Sequence, residues 1–161
     1  MNEIQLSIFK RVQDHLHQMV TKIERLRYVT SLQADGSDGE LSLWFDEGVL
    51  RFDSDSDGER LRVECGPWQD PFDEPLDEGN REYVAKYGKW KIFDVSQEAP
   101  YINVIGSSLD DVLPILNQIG KLIGVSLLLG EQVLNIFADC DELYTTWGKG
   151  NLPRWPFVST K

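Results

Sequence analysis

The acidic run FDSDSDGERLRVE, from Phe52 to Glu64, places Asp53, Asp55, Asp57, Gly58 and Glu64 at positions one, three, five, six and twelve of a calcium-binding loop. Carboxylate oxygens at those spacings, with glycine at the sharp bend, are what a hard divalent cation requires. The flanks argue otherwise. Such a loop joins two helices, whereas GVLRF before it and Leu61, Val63 and Cys65 after it alternate with the period of strands. Gly66-Pro67 would stop any exiting helix, and Arg60 stands where neighbouring loops normally pair through an apolar residue. Asp57-Gly58 is instead a standard hairpin turn. The stretch is therefore expected to be an acidic β-hairpin, with no metal and no other cofactor.

No other residues form a stronger chemical pattern. His15 and His17, two apart on an expected helix, would point to different faces and could not chelate one ion. There is no G-x-S-x-G, H-E-x-x-H, C-x-x-C or phosphate-loop sequence. Asp110-Asp111 is more simply a helix cap than an acid/base pair. The expectation is a non-enzymatic protein with no catalytic residues.

Charge is the more informative feature. Between Asp35 and Glu78 stand fifteen acidic residues opposed only by Arg51, Arg60 and Arg62, a local net charge of −12 in a chain whose total is −11. Within that third, Trp68 and Phe72 sit among Asp70, Asp73, Glu74, Asp77 and Glu78 in a connection stiffened by Pro67, Pro71 and Pro75. Aromatic anchors inside a charged rim are a common construction of protein interfaces, and prolines lower the cost of ordering such a loop. The candidate partner-binding set is Asp53, Asp55, Asp57, Trp68, Asp70, Phe72, Asp73, Glu74, Asp77 and Glu78. The plainer alternative is that Trp68 and Phe72 pin the connection to the core while the acids are solvated. Such a charge disfavours nucleic acid and anionic membranes as ligands and permits a basic protein partner.

The elements that would carry these residues are those of an α+β chain of 161 residues, 41% hydrophobic and 27% charged, within the range of one domain. Ile4, Ile8, Val12, Leu16, Met19, Val20, Ile23 and Leu26 recur at three- and four-residue steps and predict one long N-terminal helix. Period-two runs in YVTSLQ, ELSLWF, VLRFD and ERLRVEC predict an antiparallel meander. A connection rich in proline and acid follows over 66–80. Then REYVAKYGKWKIFDV and YINVIG are expected as strands, and SLDDVLPILNQIG as a short helix opened by Asp110 or Asp111 and ended by Gly120. KLIGVSLLL, QVLNIFA and ELYTTW complete a second meander, and Trp155 and Phe157 are expected to pack the tail on the body.

The two meanders suggest an internal repeat, 1–65 and 108–147, with Phe45 aligned to Phe137. The reading is two helix-plus-meander units in one curved sheet with helices on one face. The chain shows no export signal and no run of about 18 apolar residues. Cys65 and Cys140 are expected as buried thiols in a reducing cytoplasm. ELSLWF or KLIGVSLLL as an exposed edge would allow a homodimer beside the monomer.

With its units LSLWFDEGVLRF and LNIFADCDELYTT, its segment SLDDVLPILNQIGKLIGV and its acidic loop, the chain resembles bacterial immunity proteins of polymorphic toxin loci and uncharacterised bacterial families of similar build. That resemblance implies a cytoplasmic inhibitor that binds a cognate toxin, often a basic nuclease, and blocks it sterically; it transfers no functional residue. Two other classes stay open beside it. One is a structural or accessory domain with no dedicated interface. The other is a small-molecule-binding module with a pocket lined by Trp44, Trp90 or Trp147.

Overall fold

A computed structural model describes residues 1–30, 34–72, 76–150, 152 and 157–158, the side chains of 34–37 and 157–158 excepted. Helix α1 (Glu3–Gln13) opens with a reciprocal cap: Asn2 accepts the Gln5 backbone N–H at 2.9 Å while the Gln5 side chain accepts that of Asn2. Its Phe9 and Val12 are buried, and Arg11 donates to the Val63 carbonyl at 2.6 Å, which fastens the helix over one side of the core.

The chain does not continue as helix to Leu26. It turns through His17, whose φ is 71°, and enters strand β1 (Val20–Val29). The helical spacing of Val20 and Ile23 has a different cause. Val20 pairs with Phe45 and Lys22 with Trp44, so Thr21 is an extra residue in the ladder and its neighbours three apart reach the same buried face.

Strands β1, β2 (Ala34–Phe45), β3 (Gly48–Ser54), β4 (Leu61–Cys65) and β5 (Lys89–Asp94) form an antiparallel sheet in the order β4-β3-β2-β1-β5. A second antiparallel sheet follows the same plan. Strands β6 (Leu109–Leu116), β7 (Leu122–Leu129), β8 (Gln132–Asp139), β9 (Glu142–Trp147) and β10 (Phe157–Val158) lie in the order β10-β6-β7-β8-β9. The single curved sheet is therefore corrected to two sheets. They face one another: Ile23, Leu43 and Leu50 of the first share one buried cluster with Val125, Leu134 and Leu143 of the second. Each alternating strand presents one side to that shared interior, which is why the period-two runs were informative.

Four further expectations change. SLDDVLPILNQIG supplies β6, where Leu109 pairs with Leu129 and Asp111 with Leu128, another skipped residue that imitates helical spacing. Among the described residues β10 pairs only with Ile115 and Leu116, so the missing N–H of Pro114 costs no ladder bond there. Residues 81–87 belong to helix α2 (Glu78–Tyr87), capped by Asp77 and ended at Gly88, whose φ is 83°. YINVIG begins with a 3-10 turn, Tyr101–Val104, that buries Tyr101 and Val104 three residues apart. ELSLWF and KLIGVSLLL lie in β2 and β7, interior strands of their sheets, so neither offers a dimerising edge.

The thiols are also misread. Cys65 ends the edge strand β4 and Cys140 sits in the β8–β9 turn, and both are exposed. Trp155 lies outside the described residues, while Phe157 pairs with Leu116. Among the described residues no helix is long and apolar enough to cross a membrane.

Candidate acidic binding site

The opening stretch is a hairpin: β3 pairs with β4 from Leu50–Cys65 to Ser54–Leu61, and the turn passes through Gly58 at φ 72°. Its carboxylates are engaged by the hairpin itself. Arg62 reaches Asp53 at 2.9 Å, and Arg60 reaches Asp57 at 2.7 Å and Asp55 at 3.6 Å. Asp57 also accepts the backbone N–H of Glu59 and then of Arg60; these contacts with the Arg60 charge hold its carboxyl below the usual range. Arg60 and Arg62 are thus spent on local pairs, each exposed and individually weak.

The hairpin tip does not end in solvent. The Asp141 N–H donates to the Gly58 carbonyl at 2.9 Å, and the Ser54 hydroxyl donates to the Asp141 carbonyl at 3.2 Å. A side chain at Gly58 would meet the Asp141 carboxylate, so glycine is required by space as well as by φ. The β3–β4 tip and the β8–β9 turn are therefore one structure. It adds Asp139, Asp141 and Glu142 to the acids of the first half. Among the described residues Glu59, Asp139 and Asp141 have no ion pair. The local potential registers on Cys140: a hydrogen bond to Asp139, with the charges of Asp139, Asp141 and Glu59, pushes its thiol pKa up.

Beside these tips lies an open groove of about 440 Å³, lined by Asp38, Glu40, Asp53, Asp141, Glu142 and Trp90 among others. Glu40 is the most enclosed of the acids, 8% exposed, and Arg51 donates to it at 3.2 Å. Burial first, and the charges of Asp53 and Glu64 with it, raise the Glu40 pKa against the opposing pull of Arg51 and Arg62. Trp90 closes one side of the groove by lying over Gly39, where any Cβ would come within 2.9 Å of the ring.

A second cavity adjoins the first. Because β4 and β5 are opposite edges of the first sheet, the connection between them must cross its outer face. Trp68 and Phe72, both half-buried, line a cavity of about 260 Å³ there with Tyr28, Tyr83 and Trp90. Phe72 stacks on Tyr83 with centroids 5.7 Å apart, and Trp90 meets Tyr28 edge-on at 5.4 Å. Asp70 takes a salt bridge from Lys89, which also donates to the Phe72 carbonyl at 3.2 Å. Despite partial desolvation, that bridge and the Phe72 N–H hold the Asp70 carboxyl low. Leu26 and Trp90 line both cavities, so the two adjoin with the Trp90 ring as a shared wall.

The expected partner-binding residues thus fall into three groups. Asp53, Asp55 and Asp57 lie on the hairpin; Trp68, Asp70 and Phe72 lie on the crossing connection; Asp77 and Glu78 serve the N-terminus of α2, where Asp77 accepts the Asn80 N–H at 2.7 Å. Asp73 and Glu74 lie outside the described residues. Of the three tryptophans expected around a small-molecule pocket, only Trp90 lines these cavities. Trp44 donates to Glu24 beneath Lys22, and Trp147 packs edge-on against Tyr101. His15 stacks on Phe45 at 4.7 Å, clear of the site.

Asp38, Glu40 and the acids of the β8–β9 turn stood outside the expected partner-binding set, and Trp90 was expected only at a small-molecule pocket. The Asp-rich DCDE turn was visible, but nothing in one sequence says that it docks on a hairpin some eighty positions away. No protein-family model, curated protein or solved structure matches the chain, so its own geometry carries the functional reading.

Proposed function

We propose that the protein is a non-enzymatic binding protein, of the immunity-protein kind, that engages a basic protein partner through the acidic end of its two-sheet body. The observation that supports this is the docking of the β3–β4 tip onto the β8–β9 turn through Asp141 and Gly58. It gathers carboxylates from both halves around one open groove while the nearby arginines are occupied. Like charges gathered in a cleft repel one another, and a cationic partner relieves that repulsion while being steered into place. The half-buried Trp68 and Phe72 suit the plainer alternative, in which they fasten the crossing connection, so the charge-bearing tips are the better candidates for contact.

We further infer that the two sheets are copies of one unit, a four-strand meander followed by a fifth strand that returns beside the first. The shared strand order and the skipped residue at the same place in β1 and β6 support it.

The test uses the basic product of a neighbouring reading frame, expressed alone and with this chain. Relief of growth arrest by the wild type, but not by a folded Asp53→Asn/Asp141→Asn/Glu142→Gln variant, is expected. A neighbour that does no harm, or equal relief by that variant, overturns the reading.

A further inference from the structure

The two adjoining cavities differ in chemistry, and the difference says what would fill them. The groove of about 440 Å³ is walled by carboxylates on Asp38, Glu40, Asp53, Asp141 and Glu142; the first three pair with Arg27, Arg51 and Arg62, and among the described residues Asp141 and Glu142 have no ion pair. The cavity of about 260 Å³ is walled by aromatic rings, and its one ammonium, on Lys89, is already neutralised by Asp70. A cation entering the aromatic cavity would meet that ammonium, whereas an apolar group would meet mainly ring faces with Leu26 and Pro71, the Asp70–Lys89 pair being already satisfied. In the acidic groove the order reverses: an apolar group would strand carboxylates without water, and a guanidinium or ammonium would pair with them. Trp90, 39% exposed, is the wall between them and is open to stacking from solvent.

We propose that the two cavities act as one composite groove that receives a linear segment of the partner carrying an apolar anchor beside Arg or Lys. The anchor fills the ring-lined cavity, the cationic side chain enters the acidic groove, and Trp90 packs against the segment where it passes from one to the other. This rests on the proposed function and narrows it from a charged surface to a two-part recognition site. Charge complementarity selects this occupant over a second copy of the chain, because the same acidic groove on a partner copy would repel it.

Three acetylated, amidated peptides serve as probes, with titration followed by amide chemical shifts: one pairing Leu with two Arg, one with Gly in place of Leu, one with Glu in place of both Arg. The Leu-Arg-Arg peptide is expected to shift signals in both cavities and to bind roughly tenfold more tightly than the Gly-Arg-Arg peptide, a difference of about 1.4 kcal/mol. The Glu peptide is expected not to bind. Asp141→Asn with Glu142→Gln should weaken Leu-Arg-Arg and flatten its salt dependence. Trp90→Ala, verified as folded by circular dichroism, should remove the advantage of Leu over Gly. If Trp90→Ala does not fold, Tyr83→Ala reads the same loss from the opposite wall. Equal binding of the Leu and Gly peptides overturns the composite groove and leaves the acidic-surface function standing. Failure of every basic peptide to bind, together with failure of the basic partner, overturns both.

Discussion

In the first sheet Val20 pairs with Phe45 and Lys22 with Trp44; in the second Leu109 pairs with Leu129 and Asp111 with Leu128. From that shared start the ladders stay matched: Leu43 opposite Leu50 corresponds to Leu127 opposite Leu134, and Ser42 opposite Arg51 to Ser126 opposite Asn135, so Phe45 answers to Leu129 and not, as its sequence suggested, to Phe137. The inner faces are alike, aliphatic and buried. The outer faces are not. In the first half Arg51 bridges Glu40 and the Gly66 carbonyl, a charged network beneath the crossing connection. In the second, Asn135 joins Ser126, Thr146 and the Gly148 carbonyl, a neutral network at the matched place. The common inner surface is what two sheets need in order to pack, so it is constrained in both. The outer surface is free to differ, and at this matched place the first sheet carries a charged network and the second a neutral one.

One inner position breaks the likeness, and it carries the largest expected effect. Arg25, 2% exposed, corresponds in register to Pro114. Its guanidinium donates to the Gly39 carbonyl at 3.0 Å and the Leu143 carbonyl at 2.8 Å, and to the Tyr101 and Thr145 hydroxyls at 3.3 Å. It therefore ties the first sheet to β9 of the second. Arg25→Ala leaves buried acceptors unpaired and is expected to cost roughly 4 kcal/mol, or about 10 °C in Tm. Pro114→Ala, which trims a buried ring but removes no hydrogen-bonding group, should cost about 1 kcal/mol. Urea and thermal unfolding measure both, and a cost below about 1 kcal/mol for Arg25→Ala would mean that the sheets are not held by this clamp.

The same matching explains what the sequence disclosed. β3 and β4, with Leu50 and Phe52 and then Leu61 and Val63 buried two apart, were legible from their period, whereas β7 and β8, buried almost throughout, were legible as short apolar runs between turns. β1 and β6 were read as helix for one shared reason: the residue skipped at Thr21 and at Asp110 turns a two-residue spacing into three. A bulge is a pairing event, and pairing is not visible from one strand. At the candidate site the hairpin of Asp53–Glu64 was legible because turn chemistry is local. The contributions of Asp141, Glu142 and Trp90 were not, since they depend on which turn meets which.

A second contrast is between Glu40 and Gly124, which occupy matched places one residue before Leu41 and Val125. A Cβ on Gly124 would lie 2.3 Å from the Ile136 carbonyl oxygen and 2.5 Å from the Phe137 Cβ, because that part of β7 and β8 approaches closely. Gly124→Ala is expected to cost roughly 2 kcal/mol through forced displacement of backbone. Its readout is the urea midpoint at unchanged slope. A neutral Gly124→Ala would show that the second sheet can open there as the first does to admit Glu40.

The smallest effect concerns the charge that Glu40 brings to that place. Burial raises its pKa in the folded state above the unfolded value, so folding disfavours its ionised form. The resulting penalty is present above the folded pKa and disappears as pH falls below the unfolded one. Asp57, Asp70 and Asp94 act in the opposite sense, their depressed pKa values giving stability that acid removes. Wild-type stability alone would therefore mix the two signs. Glu40→Gln separates them, because the aspartates are common to both proteins and cancel in the difference. The amide keeps the shape and an acceptor for Arg51 but carries no charge. As pH is lowered from neutrality through the carboxylate range, the wild type is expected to gain stability relative to Glu40→Gln. Urea unfolding of both proteins across that range measures the gap. A gap that moves the other way would mean that Arg51, 3.2 Å from Glu40, outweighs burial, and that the first sheet holds this carboxylate as a favourable ion pair.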